Sequence, residues 1–413
     1  MALFEMLEPG IQYKEVSVQI EKLLYAPLLA LRDFRLPILF VIDALDECGG
    51  ETSDGMLNDK MSHEIVSGML EALASLMPSD PRLTVKFLVT SRPETHIRDT
   101  SISDAEFSRV LRLHAVNKEE VDGDIRRYIT ENLNTRLSRK PKIRAKFTES
   151  GVSDLVQFCD GLFIVAATAL KHTFSAGVDA AAAKFEKLLN MSRDNLDATA
   201  AAPLDEMYTV ILADAVAVDG HEASELPPLH RILASILSAR MTLSITALED
   251  LLELDVRATL SRLHAVVHVP DDDDEPGLRT VHASFGDYLF DRASDRHRIL
   301  RSFSHEDLTH ACLGVMGRRL YFNISKSDSS YEPNQSTQTS YITLSLEYAC
   351  LNWAHHLVAS NLGHSITATF DSLIGEVFRT KFLFWLEVLS ILRKVTVAVG
   401  LLRIAAAIVS LLL

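Results

Sequence analysis

Leu39-Phe-Val-Ile-Asp43-Ala-Leu-Asp46-Glu47-Cys48 is the stretch on which the reading of this chain turns. With Ile38 in front, residues 38–43 form an apolar, β-prone run that ends in an acid. Such a run fits a strand buried on both faces of a sheet. A polar, Gly-containing loop follows from Gly49 to Asp59. A helix is predicted from about Met61 to Met77, with Ile65, Met69, Leu73 and Leu76 at helical spacing, and Pro78 and Pro81 end it. Residues 84–90, Thr-Val-Lys-Phe-Leu-Val-Thr, read as a second strand. Strand, helix and strand at this spacing make a βαβ unit, which requires the two strands to be parallel. Val110–Leu113 reads as a third strand.

The acids then acquire a chemical reading. A carboxylate at the C-terminal edge of a parallel strand, here Asp43, is where nucleotide-binding α/β sheets hold the Mg²⁺ that neutralises a triphosphate. A second acid three or four residues on, Asp46 or Glu47, can orient an attacking water. Phe87-Leu-Val-Thr90-Ser91-Arg92-Pro93 ends the neighbouring strand, so its polar tip belongs on the same edge. The forked donors of Arg92 suit a terminal phosphate; the simpler role is to neutralise the nearby acids. A third segment, Val281-His282-Ala-Ser-Phe285-Gly-Asp287-Tyr-Leu289, offers a histidine. A single histidine on an apolar stretch more often serves structure.

Past residue 115 the pattern is helical. Asn117 with Glu120 is a capping-type start for a helix reaching about Leu133. Further helices are predicted at 153–175, 179–190, 204–218 and 227–238. Thr246 with Glu249 forms a second capping box for a short helix to Leu254, and Val256–Ala265 follows. Val266–Val269 and Leu278–His282 flank an acidic turn, Asp271 to Gly277, and read as a hairpin. The turn reads most simply as a solvated loop tip; a cation site is the weaker reading, since consecutive free acids are not arranged as ligands. Helices followed by a hairpin suggest a winged-helix unit. Two more helices are predicted at 304–321 and 342–360, separated by a polar loop from Ser325 to Ser340. No internal repeat is visible.

The predicted fold class is α/β with a large all-α part: a parallel sheet, which the family resemblance given below makes an incomplete P-loop-type sheet, then a helical domain and a winged-helix domain. The corresponding ranges are 1–115, 116–220, 221–303 and a C-terminal helical region, 304–413.

Bulk properties bound the function. The 413 residues are 47% hydrophobic and 23% charged, with a formal net charge of -15. Two or three domains are expected, and the negative balance argues against nucleic acid as the main partner. Cys48, Cys159, Cys312 and Cys350 are scattered, without metal-ligand spacing, and fit buried thiols in a reducing compartment. No secretory signal opens the chain. Residues 395–413 are apolar and just long enough to span a bilayer, but Arg403 near the middle is costly there. A helix buried against packing partners beyond the end of this chain is the preferred reading and a membrane anchor the alternative. The expected location is cytoplasmic.

Taken together these motifs resemble the NACHT-type, STAND-class P-loop NTPases of the fungal kind. Phe40-Val-Ile-Asp43-Ala-Leu-Asp46-Glu47-Cys48 looks like their extended Walker B strand, and Val89-Thr-Ser-Arg92-Pro like their sensor-1 strand. Cys159-Asp-Gly161-Leu-Phe163-Ile-Val-Ala-Ala resembles the helical-domain segment, and Leu204-Asp-Glu-Met-Tyr208 a Leu-Asp-x-x-Tyr helix. Val281-His-Ala-Ser-Phe285 resembles the winged-helix sensor segment, and Leu351-Asn-Trp353-Ala-His-His a downstream helix.

The resemblance implies ATP/ADP and Mg²⁺ as ligands and a nucleotide-dependent signalling switch acting through protein partners or a homo-oligomer. It makes Asp43 the metal-linked acid, Asp46 or Glu47 the hydrolysis-related acids, Arg92 the reader of the γ-phosphate and His282 a contact to the β-phosphate of ADP. Asp43, Arg92 and His282 are then expected around one pocket. Gly161-Leu-Phe163 stands where the family has its adenine-contacting Gly-x-Pro, without the proline. A larger departure is that no Gly-x-x-x-x-Gly-Lys-Ser/Thr occurs in these 413 residues. That loop supplies most phosphate contacts, so impaired nucleotide binding is expected, and ATPase activity is expected to be lost. A truncated family member is the favoured explanation and a degenerate copy the other. A nucleotide-independent helical interaction or decoy protein is the alternative function.

Overall fold

A computed structural model describes residues 15–30, 38–47, 59–76, 85–92, 97, 109–112, 116–194, 203–216, 222–270, 277–328, 336–360 and 368–412. The chain divides into two compact units, 1–115 and 116–413.

In the first unit, helix α1 (Val16–Ile20) runs through a π-helical turn, Glu21–Tyr25, into α2 (Ala26–Ala30). Strand β1 (Ile38–Ile42), a 3₁₀ turn (Leu45–Glu47), helix α3 (Asp59–Leu76) and strand β2 (Val85–Val89) follow. β1 and β2 pair in parallel, in register from Ile38 opposite Val85 to Ile42 opposite Val89. This is the pairing that the strand–helix–strand pattern requires. Phe40 and Phe87, opposite one another, stack with ring centroids 5.3 Å apart. A small core forms where Val66 and Leu70 of α3 meet Leu45, with Ile42, Met69, Val89 and Ile97 around them.

Two expectations fail in this unit. The strands are not buried on both faces: burial alternates along each, and Leu39, Val41 and Leu88 are 60%, 61% and 53% exposed. A sheet is dry on both faces only when helices cover both, and among the described residues the apolar cover comes from α3 on one face. Residues 109–112 form no strand, and Val110 and Leu111 are exposed. Among the described residues the sheet has two strands. The loop 49–58, the helix-ending Pro78 and Pro81, Cys48 and Pro93 lie outside the described residues.

The second unit is helical around one continuous core. Its helices are α4 (Lys118–Arg136), α5 (Pro141–Arg144), α6 (Glu149–Cys159), α7 (Phe163–Phe174), α8 (Ala181–Asp194), α9 (Pro203–Val216), α10 (Glu222–Ser238), α11 (Ile245–Leu252) and α12 (Val256–Leu260). Strands β3 (Val267–His268) and β4 (Arg279–Thr280) pair antiparallel. After them come α13 (Ala283–Asp287), a π-helical turn (Tyr288–Arg292), α14 (Arg301–Arg319), a 3₁₀ turn (Ser336–Tyr341), α15 (Leu344–Ala359), α16 (Ala368–Thr380), α17 (Phe382–Ile391) and α18 (Val395–Leu412). A large all-α part is therefore present. The hairpin is two residues deep on each side, and its acidic tip, 271–276, lies outside the described residues, as do 329–335 of the polar insert.

Local chemistry explains the boundaries. Asn117 caps α4, its side chain accepting from the Glu119 N–H at 3.0 Å. The single helix predicted over 153–175 is two, because Asp160 (φ 46°) and Gly161 (φ 77°) both turn left-handed after Cys159. The predicted box at Thr246 is displaced: Ser244 caps α11 by accepting from the Ala247 N–H at 3.2 Å. Glu249 instead accepts from the Val256 and Arg257 N–H groups at the start of α12. The insert's last residues form the 3₁₀ turn at Ser336–Tyr341 rather than a bare loop.

The most extensive helix–helix contact in this unit joins α14 to α15. His356 of α15 has no exposed surface; its Nδ1 lies 2.9 Å from Nδ1 of His305 on α14, and its Nε2 lies 2.7 Å from the Tyr348 hydroxyl. Burial, then the charges of His305, Arg240 and His355, push the His356 imidazole down to about 3. The unfolded chain takes that proton near 6.5, so the folded state binds fewer protons between those values. Stability is complete above pH 6.5 and falls as pH drops below it, by ~1.4 kcal/mol per pH unit from this residue. Urea midpoints at pH 7.5 and 5.5 should show the decline, and His356→Gln should reduce its slope. A midpoint unchanged across that interval contradicts a neutral, buried His356.

In its described part α18 enters the core on one side only, through Ala398 and Leu401, while Val395, Val397 and Val399 are exposed. Among the described residues no helix is long and apolar enough to cross a membrane; the side chains of 407–413 lie outside them.

Candidate functional site

The C-terminal edge of β1 and β2 gathers three of the expected site residues. β1 ends at Ile42, and the chain turns at Ala44 with φ 52°, a conformation costing a non-glycine residue ~1 kcal/mol. The neighbouring strand holds this turn in place. The Thr90 N–H donates to the Ile42 carbonyl at 2.9 Å, the Leu45 N–H to the Thr90 carbonyl at 3.0 Å, and the Ala44 N–H to the Thr90 hydroxyl at 3.0 Å. Leu45, fully buried, anchors the turn into the small core.

This arrangement places the acids. The Thr90 hydroxyl donates to Oδ1 of Asp43, which is exposed at the strand end. Asp46 faces the tip of β2: its Oδ1 accepts from the Arg92 N–H at 2.9 Å and from the Ser91 hydroxyl at 3.3 Å, and its Oδ2 lies 3.4 Å from Arg92 Nε. The Asp46 side chain is 9% exposed and that of Arg92 is 43% exposed. The two acids are therefore handled differently. Asp46 is committed to holding Arg92, whereas Asp43 is oriented by one hydroxyl and open to solvent. A group at Asp43 can accept a hydrated cation without burying charge, and Arg92 stands one ion pair away. Thr90 and Ser91, which orient both acids, were not singled out from the sequence as site residues. Their position directly after a β-run in Val-Thr-Ser-Arg was the available signal. Glu47 ends the 3₁₀ turn; its side chain lies outside the described residues.

Gly161 and His282 belong to the second unit, and each has a local role there. Gly161 continues the left-handed ending of α6. There Asp160 forms an ion pair with Lys118 at the start of α4. His282 is the N-cap of α13, its Nδ1 accepting from the Ser284 N–H at 3.2 Å and lying 2.6 Å from the Ser284 hydroxyl. Ser284 in turn meets the Tyr208 hydroxyl at 2.8 Å, and Thr209 meets that of Tyr288 at 2.8 Å. The Leu-Asp-x-x-Tyr helix and the Val-His-Ala-Ser-Phe segment are thus tied directly: Tyr208 also packs edge-on against Phe285, with centroids 5.0 Å apart. Arg292 completes the junction with an ion pair to Asp205 at 2.9 Å.

Among the described residues no group of three or more His, Cys, Asp or Glu could hold a metal ion. Cys159, Cys312 and Cys350 are free and buried, and burial pushes the Cys159 thiol up to about 12.

The family model described as Nephrocystin 3, N-terminal matches residues 2–92. No curated protein and no solved structure matches the chain.

Proposed function

We propose that the segment matched over residues 2–92 carries the metal- and phosphate-reading edge of a NACHT-class regulatory NTPase, and that the chain as given binds nucleotide weakly. The observation that carries this reading is the parallel pair whose C-terminal edge holds Asp43, Asp46 and Arg92 together. That edge is where open α/β sheets bind ligands. The family match spans both strands and all three residues. The order of the downstream motifs supports the same class, including assignment of α10 to β4 as a winged helix. In this reading Mg²⁺ sits at Asp43, and a terminal phosphate competes with Asp46 for Arg92. The ion pair to Asp46 is then the resting state of a switch that phosphate contacts bias. Hydrolysis is not expected, because no Gly-x-x-x-x-Gly-Lys-Ser/Thr occurs in these residues to cradle the β- and γ-phosphates. The module would act in the cytoplasm through protein partners or copies of itself.

Isothermal titration of the chain with Mg²⁺·ADP tests this. A dissociation constant of about 1 mM or weaker is expected, equivalent to ~4 kcal/mol. Micromolar binding that Asp43→Ala weakens would overturn the claim of impaired binding.

One observation favours a second reading, a nucleotide-independent interaction protein. Phe322 is 80% exposed and meets Phe384 edge-on, beside exposed Tyr321 and Leu383. Retention of a full-length homologue, unchanged by Arg92→Ala and lost on Phe322→Asp, would favour it.

A further inference from the structure

β1 carries backbone groups that its neighbour does not use. The Ile42 carbonyl accepts from the Thr90 N–H, so Ile38, Phe40 and Ile42 direct their N–H and C=O groups to β2. Leu39 and Val41 direct theirs to the opposite side of β1, where they meet no partner among the described residues. Unpaired strand edges of this kind recruit further strands. This lateral edge runs along β1 rather than across the strand ends that hold Asp43 and Arg92, and its chemistry is independent of the nucleotide reading.

The two edges of the sheet differ. β2 includes the exposed Lys86, and a lysine on an edge strand guards against pairing. β1, Ile38-Leu-Phe-Val-Ile42, has no charge, glycine or proline, the composition that favours pairing with another strand. A two-stranded sheet is marginal by itself, whereas three or more strands with a covered face are stable. Here α3 supplies the apolar cover on one face, and Leu39 and Val41 are 60% and 61% exposed on the other.

The sequence of β1 indicates which strand completes the edge. It is an aliphatic run centred on Phe40 and reads alike from either end. Antiparallel pairing with a second β1 about Phe40 sets Ile38 opposite Ile42 and Leu39 opposite Val41, on both sides of a two-fold axis. The N–H and C=O groups of Leu39 and Val41 then make the hydrogen-bonded pairs of the ladder, and Phe40 takes the closely spaced position between them. On the uncovered face, Leu39 and Val41 of each copy pack against those of the other. The axis consumes both uncharged edges and leaves a β2 bearing Lys86 on each outer side, so the assembly closes as a dimer.

We propose that the lateral edge of β1 docks a second copy of this chain, making a two-fold, four-stranded sheet by antiparallel β1–β1 pairing. A contact between strands of five residues falls below ~1,200 Å² of buried surface, which places it among weak, reversible associations.

Sedimentation equilibrium of the full chain should show a reversible monomer–dimer equilibrium with a dissociation constant on the order of 10–100 µM, as a contact of this size implies. Amide hydrogen exchange at Leu39 and Val41 should slow as the concentration passes that value. Val41→Lys places a charge on the edge at a position outside the core, and should weaken association by about tenfold or more with the far-ultraviolet spectrum unchanged. Leu88→Lys alters the same uncovered face on β2, away from the pairing line, and should leave the constant within about twofold. A chain that stays monomeric, a dimer indifferent to Val41→Lys, equal weakening by Leu88→Lys (the mark of face-to-face stacking), or open-ended growth each overturns the proposal. So does a dimer of the unaltered chain in which Leu39 and Val41 gain no protection, whatever the folding of Val41→Lys.

Discussion

Replacing Trp353 by alanine is expected to destabilise the second unit by ~3–5 kcal/mol, the range for deleting a large aromatic from a packed core. Trp353 is 1% exposed. Its ring lies 4.8 Å from that of Phe378 on α16 and 6.5 Å from that of Trp385 on α17, nearly perpendicular to the latter. The cavity would open among α15, α16 and α17 together. Trp385 adds a hydrogen bond from its Nε1 to the Cys350 carbonyl at 3.0 Å, tying α17 to α15 independently. The Trp353 Nε1 is buried without a partner, and such a group costs ~1–3 kcal/mol. Trp353→Phe removes that orphan donor and should cost markedly less than the alanine change. Denaturant unfolding followed by far-ultraviolet circular dichroism measures both. Equal losses for the two variants would contradict the stated environment of the indole N–H.

The second large effect is expected at Asp214 on α9. Its carboxylate receives His172 Nε2 of α7 at 3.2 Å and lies against Lys187 and Lys184 of α8. One residue thus joins three helices. His172 is 2% exposed, and its Nδ1 already lacks a partner, so Asp214→Ala leaves both ring nitrogens unsatisfied. A loss of ~2–4 kcal/mol is expected, below the upper range for broken buried pairs because Lys187 is half exposed. Hydrogen bonding to His172, with Lys187 contributing, holds the Asp214 carboxyl well below the usual carboxylate range. The sign follows: its stabilisation is present above about pH 3.8 and is lost as pH falls further, where the unfolded chain protonates first. Acid unfolding of Asp214→Asn should therefore be less steep below pH 4 than that of the parent chain. Identical acid profiles would contradict this.

The parts of the fold legible in sequence are those fixed by local pattern. The parallel β1–α3–β2 unit follows from two apolar runs and one amphipathic helix, and the cap at Asn117 from its own side chain. What escaped depends on tertiary context. An apolar run reads the same whether helices cover one face or two, so the exposure of Leu39, Val41 and Leu88 was not readable. The break at Asp160-Gly161 was hidden because Phe163-Ile-Val-Ala continues the helical spacing across it. Thr246 and Ser244 are equally good caps by composition, and in the structure Ser244 is the cap, with Ile245 buried at the first position of α11.

The site divides in the same way. Asp43, Asp46 and Arg92 converge because strand ends are fixed by register, which sequence spacing captures. Thr90 and Ser91, the hydroxyls that orient the acids, required the cross-strand geometry. His282 and Gly161 each also have a local structural role, as helix cap and helix terminator.

The central claim is that the C-terminal edge of β1 and β2 reads a metal-bound phosphate. Paramagnetic broadening by Mn²⁺·ATP, read residue by residue in amide spectra at millimolar ligand, addresses it even when binding is weak. The expected result is broadening centred on Asp43, Ala44, Thr90, Ser91 and Arg92 that disappears in Asp43→Asn. Broadening absent from these amides, or unchanged in Asp43→Asn, would contradict it.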